Sequence, residues 1–399
     1  MRISRFPILV VALTFLVSAC SSAEAEPEIA TTVTTTTSTT VAPTTTTAAP
    51  VVEFAFDMPD GMEEPLKALY TWLVEDRTEA PVAPTGMLAH LENTERDYPT
   101  GTGAVTSAAL ENGDGVAVAR VDRDIVLLVD DGAGWRIVGA ALDGSTPWLG
   151  DKHKTVLVLG SDARVGEDEQ KLRADSVHIL TVSAEVDAGT IAGFPRDSWV
   201  QGPNGGTKLT NLMANRGPEI MLETITELTQ LEIDGYFVTG FKGFTALIVE
   251  LGGLFIDLPK EMRSGNNWAN YPAGPQTLTA QLALRLARIR KGLPGGDFDR
   301  SFNQGLIMQA AMDMVQVTGI DLLPEWIRIL DEATWTNLST EQVLTLGASA
   351  FLFPSDALNN MVMPGGVGTV GAASVVFLSD KAEGVYRDLE DDGLLTPEE

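Results

Sequence analysis

Arginine and aspartate recur where apolar runs begin and end between Lys154 and Gln304. The run Val156–Leu159 leads into Gly160-Ser161-Asp162-Ala163-Arg164, and Arg173-Ala174-Asp175-Ser176 opens the run Val177–Leu180. Thr190–Phe194 leads into Pro195-Arg196-Asp197, and Arg288, Arg290 and Arg300 follow much later. Strand ends of an open α/β sheet are where ligands bind. Guanidinium groups there suit phosphate, which they grip through paired N–H donors, while carboxylate oxygens suit a hard divalent cation.

The block from Leu278 to Gln309 must place the later arginines. Leu278–Leu286 has helical spacing. Continued helically, Arg288 and Arg290 would point about 160° apart, whereas an extended chain puts them on one face. The expectation is that the helix gives way to a strand before them. Gly292-Leu293-Pro294-Gly295-Gly296 reads as a loop and Asp297 as the N-cap of the next helix. Arg300 and Gln304, four apart, share a face near that helix start, where free N–H groups favour anions.

The surrounding elements form two groups. Leu66, Leu69, Tyr70 and Leu73 follow helical spacing, and Val116–Val121, Ile125–Val129 and Trp135–Val138 read as strands, the last two joined by the turn Asp130–Gly134. Residues 53–148 thus form a small α+β accessory domain whose acidic residues make a solvated face. From 154 to 390 strand-like and helical runs alternate, which indicates an α/β layered fold. Helices are expected at Pro218–Leu231, Gly243–Leu251 and Lys381–Leu389, and strands at Phe237–Val238, Leu254–Leu258 and Ser374–Phe377. Residues 391–399 read as an acidic tail. Phe237, Phe241, Phe244, Leu251 and Ile256 have spacings that fit an ordinary core first and the lining of an apolar cleft second.

The N-terminus is a targeting segment. Arg2 and Arg5 precede the apolar stretch Phe6–Val17, which is short for a membrane span. Val17-Ser18-Ala19-Cys20 resembles a bacterial lipobox, which implies a signal peptide over 1–19 and lipidation of Cys20, the only cysteine. Residues 20–52, rich in Thr and Pro, read as a disordered tether. Its extended reach would be roughly 90–100 Å at about 3.1 Å per residue. The expected location is extracytoplasmic, anchored to the membrane by lipid and facing the cell wall.

Charge narrows the function. With 27 basic and 55 acidic residues, the chain carries a formal charge of −28. Such a field repels nucleic acid, so a phosphate ligand must be caught by a local arginine cluster or a bound cation. Three histidines make a multi-histidine zinc site unattractive.

Over residues 154–390 the chain resembles the LytR–CpsA–Psr family of bacterial cell-envelope enzymes. The stretches that carry the resemblance are VLVLGSDAR, RADSVHILTV, FPRDSWV, KLTN, EIDGYFVTGFKGFTALIVELGGLFIDLP, GPQTLTAQLALRLARIR and GLPGGDFDRSFNQ, in that order. It departs mildly at Ala174, Phe194 and Leu286-Ala287. The resemblance implies an α-β-α sandwich holding a polyprenyl chain in an apolar cleft. It further implies a Mg²⁺-dependent phosphotransferase that moves a glycopolymer from polyprenyl pyrophosphate to peptidoglycan. Carried onto this sequence, Asp162 and Asp175 would hold magnesium, and Arg196, Arg288, Arg290 and Arg300 would bind pyrophosphate with help from Gln304. Asp197 would act in catalysis or pair with a neighbouring arginine. The competing readings are a lipid pyrophosphatase and a non-catalytic polyprenyl-phosphate-binding envelope protein.

Overall fold

The computed structural model describes residues 52–75, 77–263, 269–354 and 356–396. The signal segment, Cys20 and the tether lie outside these residues. The chain opens with helices α1 (Glu63–Val74) and α2 (Thr85–Leu91), then four strands, β1 (Gly103–Ala109), β2 (Gly115–Val121), β3 (Asp124–Asp130) and β4 (Trp135–Ala141). These strands pair antiparallel in sequence order. Alternation along β2 and β3 makes both faces apolar. Ala117, Ala119, Val126 and Leu128 pack with Leu66, Leu69 and Met87 of α1 and α2.

The opposite face of this sheet carries Val116, Val118, Leu127 and Val129. They share a core with residues distant in sequence: Leu323, Ile327, Leu344 and Ala348. Both faces of the sheet are therefore covered, while acidic residues such as Glu63, Glu64, Glu111 and Asp131 stay exposed as expected, and Pro50–Glu399 forms one compact unit. Polar ties reinforce the seam, with Arg136 Nη1 2.6 Å from Glu341 Oε2 and Arg120 Nη2 3.0 Å from Asp321 Oδ2.

The remaining elements follow in chain order. First come β5 (Lys154–Ser161), β6 (Ala174–Val182), β7 (Gly189–Gly193) and the hairpin β8 (Trp199–Gly202) with β9 (Gly205–Lys208). Next are α3 (Thr210–Arg216), α4 (Pro218–Thr229), β10 (Gly235–Thr239), α5 (Phe241–Glu250), β11 (Leu254–Leu258), β12 (Met262–Arg263), β13 (Asn270–Tyr271) and β14 (Gly274–Leu278). The chain ends with α6 (Ala280–Arg288), α7 (Asp297–Gln316), α8 (Leu323–Ala333), β15 (Trp335–Thr336), α9 (Thr340–Leu352), β16 (Leu358–Val362), β17 (Gly365–Val370), β18 (Ala373–Leu378) and α10 (Asp380–Asp391).

Six strands form the central mixed sheet in the order β15-β10-β5-β6-β7-β16, with β10 parallel to β5, β16 parallel to β7, and the other pairs antiparallel. Helices cover both faces, so the fold is an α-β-α sandwich. On one face Leu157, Leu159, Val177, Ile179 and Val238 pack against Met213 of α3, Ile220, Met221 and Ile225 of α4, and Tyr386 and Leu389 of α10. The alternate residues Val158, Leu180 and Phe237 point to the other face, where α5, α7, α8 and α9 lie over cavities.

The segment expected as an acidic tail is partly built into the core. α10 runs to Asp391, Leu395 packs on the first face, and Thr181 Oγ1 donates to the Gly393 carbonyl. Two leucines there outweigh the acidic composition that suggested a tail. Among the described residues no single helix is long and apolar enough to cross a membrane.

Candidate functional site

Antiparallel pairing gathers the acidic and basic residues at one end of the central sheet. β5 ends where β6 begins, with Gly160 opposite Ser176, and β7 ends with Gly193 opposite His178. Asp162, Asp175 and Arg196 thereby come from three segments to one edge. Helix α7 crosses that edge through its first turns. His178 fixes the crossing: its Nε2 lies 3.0 Å from the Ser301 carbonyl and its Nδ1 3.1 Å from Ser176 Oγ. A carbonyl only accepts, so Nε2 carries the proton and Nδ1 accepts from the hydroxyl. Complete burial pushes this imidazole down to about 4 and keeps it neutral.

Asp162 is held by one arginine. Arg173 donates to it from its backbone N–H at 3.1 Å, from Nε at 3.1 Å and from Nη2 at 2.9 Å. Asp175 accepts from Nη1 of Arg196. Burial works against the charge on Arg196, but Asp175, Asp197 and Asp297 outweigh it and hold the guanidinium above its ordinary pKa. Arg300 pairs with Asp297 inside the protein. Burial lowers its pKa, Asp297 opposes that, and the like charges of Arg196 and Arg290 add to it.

The Nε–H groups of Arg196 and Arg300 are buried and lack an acceptor among the described residues. A buried donor left so costs about 1–3 kcal/mol, which an anionic oxygen would relieve.

The helix carrying Arg288 ends at that residue, and Ile289 is extended (φ −64°, ψ 128°). The expected strand is absent, because one extended residue suffices to swing Arg290 away from the helix axis. Arg288 lies over the Phe241 ring, 4.5 Å from its centroid, and Arg290 reaches within 3.5 Å of Asp197. Asp297 is not the N-cap. Gly296 takes that place with φ 57°, and Asp297, the first helical residue, accepts instead from the Asp197 N–H at 3.2 Å and from Arg300. Its carboxylate is taken up by Arg300 and the Asp197 N–H rather than by the helix start.

Two cavities meet at this edge. The first, about 130 Å³, is almost wholly apolar; it is lined by Val158, Phe241, Phe244, Leu284, Ile307 and Met308, with Asp175, Arg288 and Gln304 also in its wall. The second, about 560 Å³, is polar and lined by Asp162, Arg173, Asp175 and Arg288 among others. Asp175, Phe241 and Arg288 belong to both. A further apolar cavity of about 310 Å³ is lined by Leu180, Phe237, Leu247, Leu251, Ala311 and Met312. Leu247 and Met312 sit one helical turn beyond Phe244 and Met308, so the apolar spaces lie in line along α5 and α7. Four of the five residues read as core line these spaces; only Ile256 is buried core away from them. Periodicity marks the inward face of an element but not whether anything fills the space opposite.

Of the four expected pyrophosphate ligands, Arg288 alone lines both meeting cavities. Arg196, Arg290 and Arg300 stand behind that wall in an ion-pair network with Asp175, Asp197 and Asp297. Asp197 is flanked by Arg290 and by Lys208 Nζ at 3.1 Å, which is the pairing arrangement. Gln304 donates to the Ala287 carbonyl at 2.9 Å and to that of Asp175 at 3.3 Å, so it braces α6 against β6. Sequence reasoning gave Lys208 no role, although it opens the stretch Lys208-Leu209-Thr210-Asn211. For Arg173 the sequence leaves a structural salt bridge, a solvent-facing charge and a ligand contact equally open, and the structure shows the salt bridge, to Asp162.

Among the described residues no group of three or more His, Cys, Asp or Glu side chains is placed to hold a metal ion. Asp162 and Asp175 nevertheless open on one cavity. A carboxylate offers about four lone-pair positions. Arg173 takes three at Asp162 and Arg196 one at Asp175, so Asp175 is the freer. Magnesium commonly takes one or two carboxylates and completes its shell with phosphate oxygens and water. The pair fits that ion in the presence of a diphosphate.

Residues 139–387 match the model of the LytR_cpsA_psr family. A polyisoprenyl-teichoic acid–peptidoglycan teichoic acid transferase, TagU of Bacillus mycoides, is 26% identical over 195 residues, covering 48% of this chain and 62% of the relative. The cell wall biosynthesis protein LcpA of Corynebacterium glutamicum is 25% identical over 238 residues, 49% of this chain and 44% of LcpA. This chain thus matches less than two thirds of the length of either relative. The crystal structure of B. subtilis TagV superposes with a TM-score of 0.53 at 25% identity, covering 62% of this chain and all of that one. The match spans both the sheet edge and the cavities beside it, and the chain belongs to the LytR_cpsA_psr family.

Proposed function

We propose that this chain transfers a glycopolymer from a polyprenyl diphosphate carrier to peptidoglycan, as a magnesium-dependent phosphotransferase outside the cytoplasm. The observation that carries the reading is the junction at Asp175, Phe241 and Arg288, where an apolar space meets a polar one. The molecule such a junction suits is an amphiphile with a long hydrocarbon and a charged head. The arginine network behind the junction supplies positive charge to that head, and its largely buried members Arg196 and Arg300 are little screened by water.

In this reading Phe241 and Phe244 receive the first isoprene units, and Arg288 binds the diphosphate while stacking on Phe241. The acceptor hydroxyl oxygen bonds to the phosphorus on the sugar side. The bond from that phosphorus to the bridging oxygen breaks, and lipid monophosphate leaves. The hydroxyl's proton goes to a carboxylate of the pair, Asp162 or Asp175. Magnesium, held by Asp162 and Asp175, would neutralise the diphosphate and so lower the repulsion met by the incoming oxygen. Arg173 and Arg196 keep the two carboxylates oriented. Anchoring through Cys20 would keep the site within reach of a membrane-borne carrier and of the wall, the tether supplying the span.

The test uses Pro50–Glu399 with geranylgeranyl diphosphate bearing a disaccharide on its terminal phosphate, Mg²⁺ and a peptidoglycan-derived acceptor, following lipid monophosphate and the glycan–acceptor adduct. Adduct formation that needs Mg²⁺ and Arg288 supports transfer. Release of inorganic phosphate or lipid monophosphate without any adduct would make the protein a lipid diphosphatase, and lipid binding without turnover would make it a carrier-binding protein.

A further inference from the structure

A separate cleft of about 700 Å³ opens beside the polar cavity and shares Arg164 and Glu167 with it. Its volume lies within the range of about 300–1,000 Å³ usual for ligand sites. Its walls include the β1–β2 turn at Leu110–Asn112, the loop between β5 and β6, the start of α5 and the end of α8 running into β15. The turn is pinned in place, with the Glu111 N–H donating to Asp331 Oδ2 at 2.8 Å. Residues 110–112 precede the family-matched stretch 139–387, so this wall comes from the N-terminal sheet, outside that stretch.

We propose that this cleft binds a neutral saccharide chain, with Trp335 as its stacking platform. Trp335 lines the cleft on the edge strand β15 and is 57% exposed, although an indole is among the most costly side chains to leave in water. A pyranose ring carries C–H bonds on one face, which suit the electron-rich indole face, and hydroxyls around its rim. Glu111, Asn112, Asp331 and Glu332 supply acceptors and an amide for those hydroxyls. The charge of the lining selects among glycans. Six lining residues are acidic, Glu111, Glu167, Asp168, Glu169, Asp331 and Glu332, against two basic ones, Arg164 and Lys242; Asp168 and Glu332 are paired with Lys171 and Arg328 outside the lining, which leaves the balance negative. That field repels a phosphate-rich polymer and tolerates an uncharged one, such as a backbone of N-acetylated amino sugars.

The saccharide's role, as the acceptor strand led toward Asp162 and Asp175, rests on the transfer reading; its binding does not. The experiment titrates the full chain with an N-acetylated chitotetraose, following tryptophan fluorescence and calorimetric heat. The expected result is saturable binding that Trp335→Ala weakens about tenfold or more and Trp335→Phe weakens much less, with unchanged melting temperatures in both. A glycerol phosphate oligomer, standing for a phosphate-bearing donor polymer, should not displace the tetraose. No binding at millimolar tetraose, equal affinity in Trp335→Ala, or displacement by the phosphate oligomer would overturn the proposal. Geranylgeranyl diphosphate binding to the unchanged chain, measured in parallel, reports on the transfer reading alone, so the two can fail separately.

Discussion

The two faces of the central sheet are built from neighbouring residues of the same strands and end differently. On one, Leu157, Leu159, Ile179 and Val238 are fully buried against α3, α4 and α10. On the other, Val158, Leu180 and Phe237 stay partly open and border apolar spaces of about 130 and 310 Å³. Protein interiors are ordinarily close-packed, with few voids larger than a water molecule. A strand pattern that is equally apolar on both faces is therefore close-packed on one and borders unfilled apolar space on the other. Mutations should divide along the same line, with packed-face changes acting on folding and hollow-face changes on binding.

The largest effect is expected on the packed face. Ile225→Ala removes a fully buried side chain from α4 and should cost about 2–5 kcal/mol, read from denaturant unfolding. Lipid diphosphate affinity of the remaining folded protein should not change. A cost below about 1 kcal/mol would mean that this face is as loosely filled as the other.

Next come the junction residues. Arg288→Ala and Asp175→Asn should each lower lipid monophosphate release about 100-fold, or about 2.7 kcal/mol. Their effects on stability should differ. Arg288 is exposed and has no ion pair among the described residues, so its loss should leave the melting temperature nearly unchanged. Asp175→Asn leaves the guanidinium of Arg196 half-buried with a neutral partner and should lower it. Full turnover in Arg288→Ala would remove the junction from the mechanism.

These residues also mark how far the sequence could be read. The layered α/β architecture was legible because strands and helices have different apolar periods. The convergence of Asp162, Asp175 and Arg196 was legible because each follows or opens an apolar run. What sequence could not carry was the division of labour. Arg196 and Arg300 look alike in a motif as ligands, yet both are committed to carboxylates within the protein. Lys208 earns its place through Asp197, a contact across the β8–β9 hairpin that no spacing rule registers. The cavities were illegible for a related reason: Phe237 and Phe244 have the spacing of core residues, and the space opposite them depends on helices far along the chain.

His178 gives a smaller effect with a definite sign. Burial holds its folded pKa near 4, below the usual value of 6.5. Between these values the unfolded chain binds more protons than the folded one, so stability is present above about pH 6.5 and lost as pH falls toward 4. From pH 7 to pH 5 the loss should be about 2 kcal/mol. Replacing His178 with Gln should flatten that part of the profile in unfolding curves taken at both pH values. Because the folded imidazole stays largely neutral down to about pH 5 and keeps its bond to the Ser301 carbonyl, lipid diphosphate binding by the folded protein should not change over the same interval.

The smallest effect tests the hollow face directly. Ala311 lies on α7 in the wall of the larger apolar space. Ala311→Leu adds three carbons where there is room, so overpacking should not arise and folding stability should shift by less than about 1 kcal/mol in either direction. The same carbons occupy the space needed by the distal part of a long isoprenoid. Affinity should therefore fall about tenfold for a C55 diphosphate and remain unchanged for a C10 diphosphate, whose chain ends near Phe244 and Met308. Chain-length dependence separates this cause from a general distortion of the site, which would weaken both ligands alike. Equal affinities for both chain lengths in the unsubstituted protein would mean that the larger space takes no part in holding the lipid, and the hollow would then need another occupant.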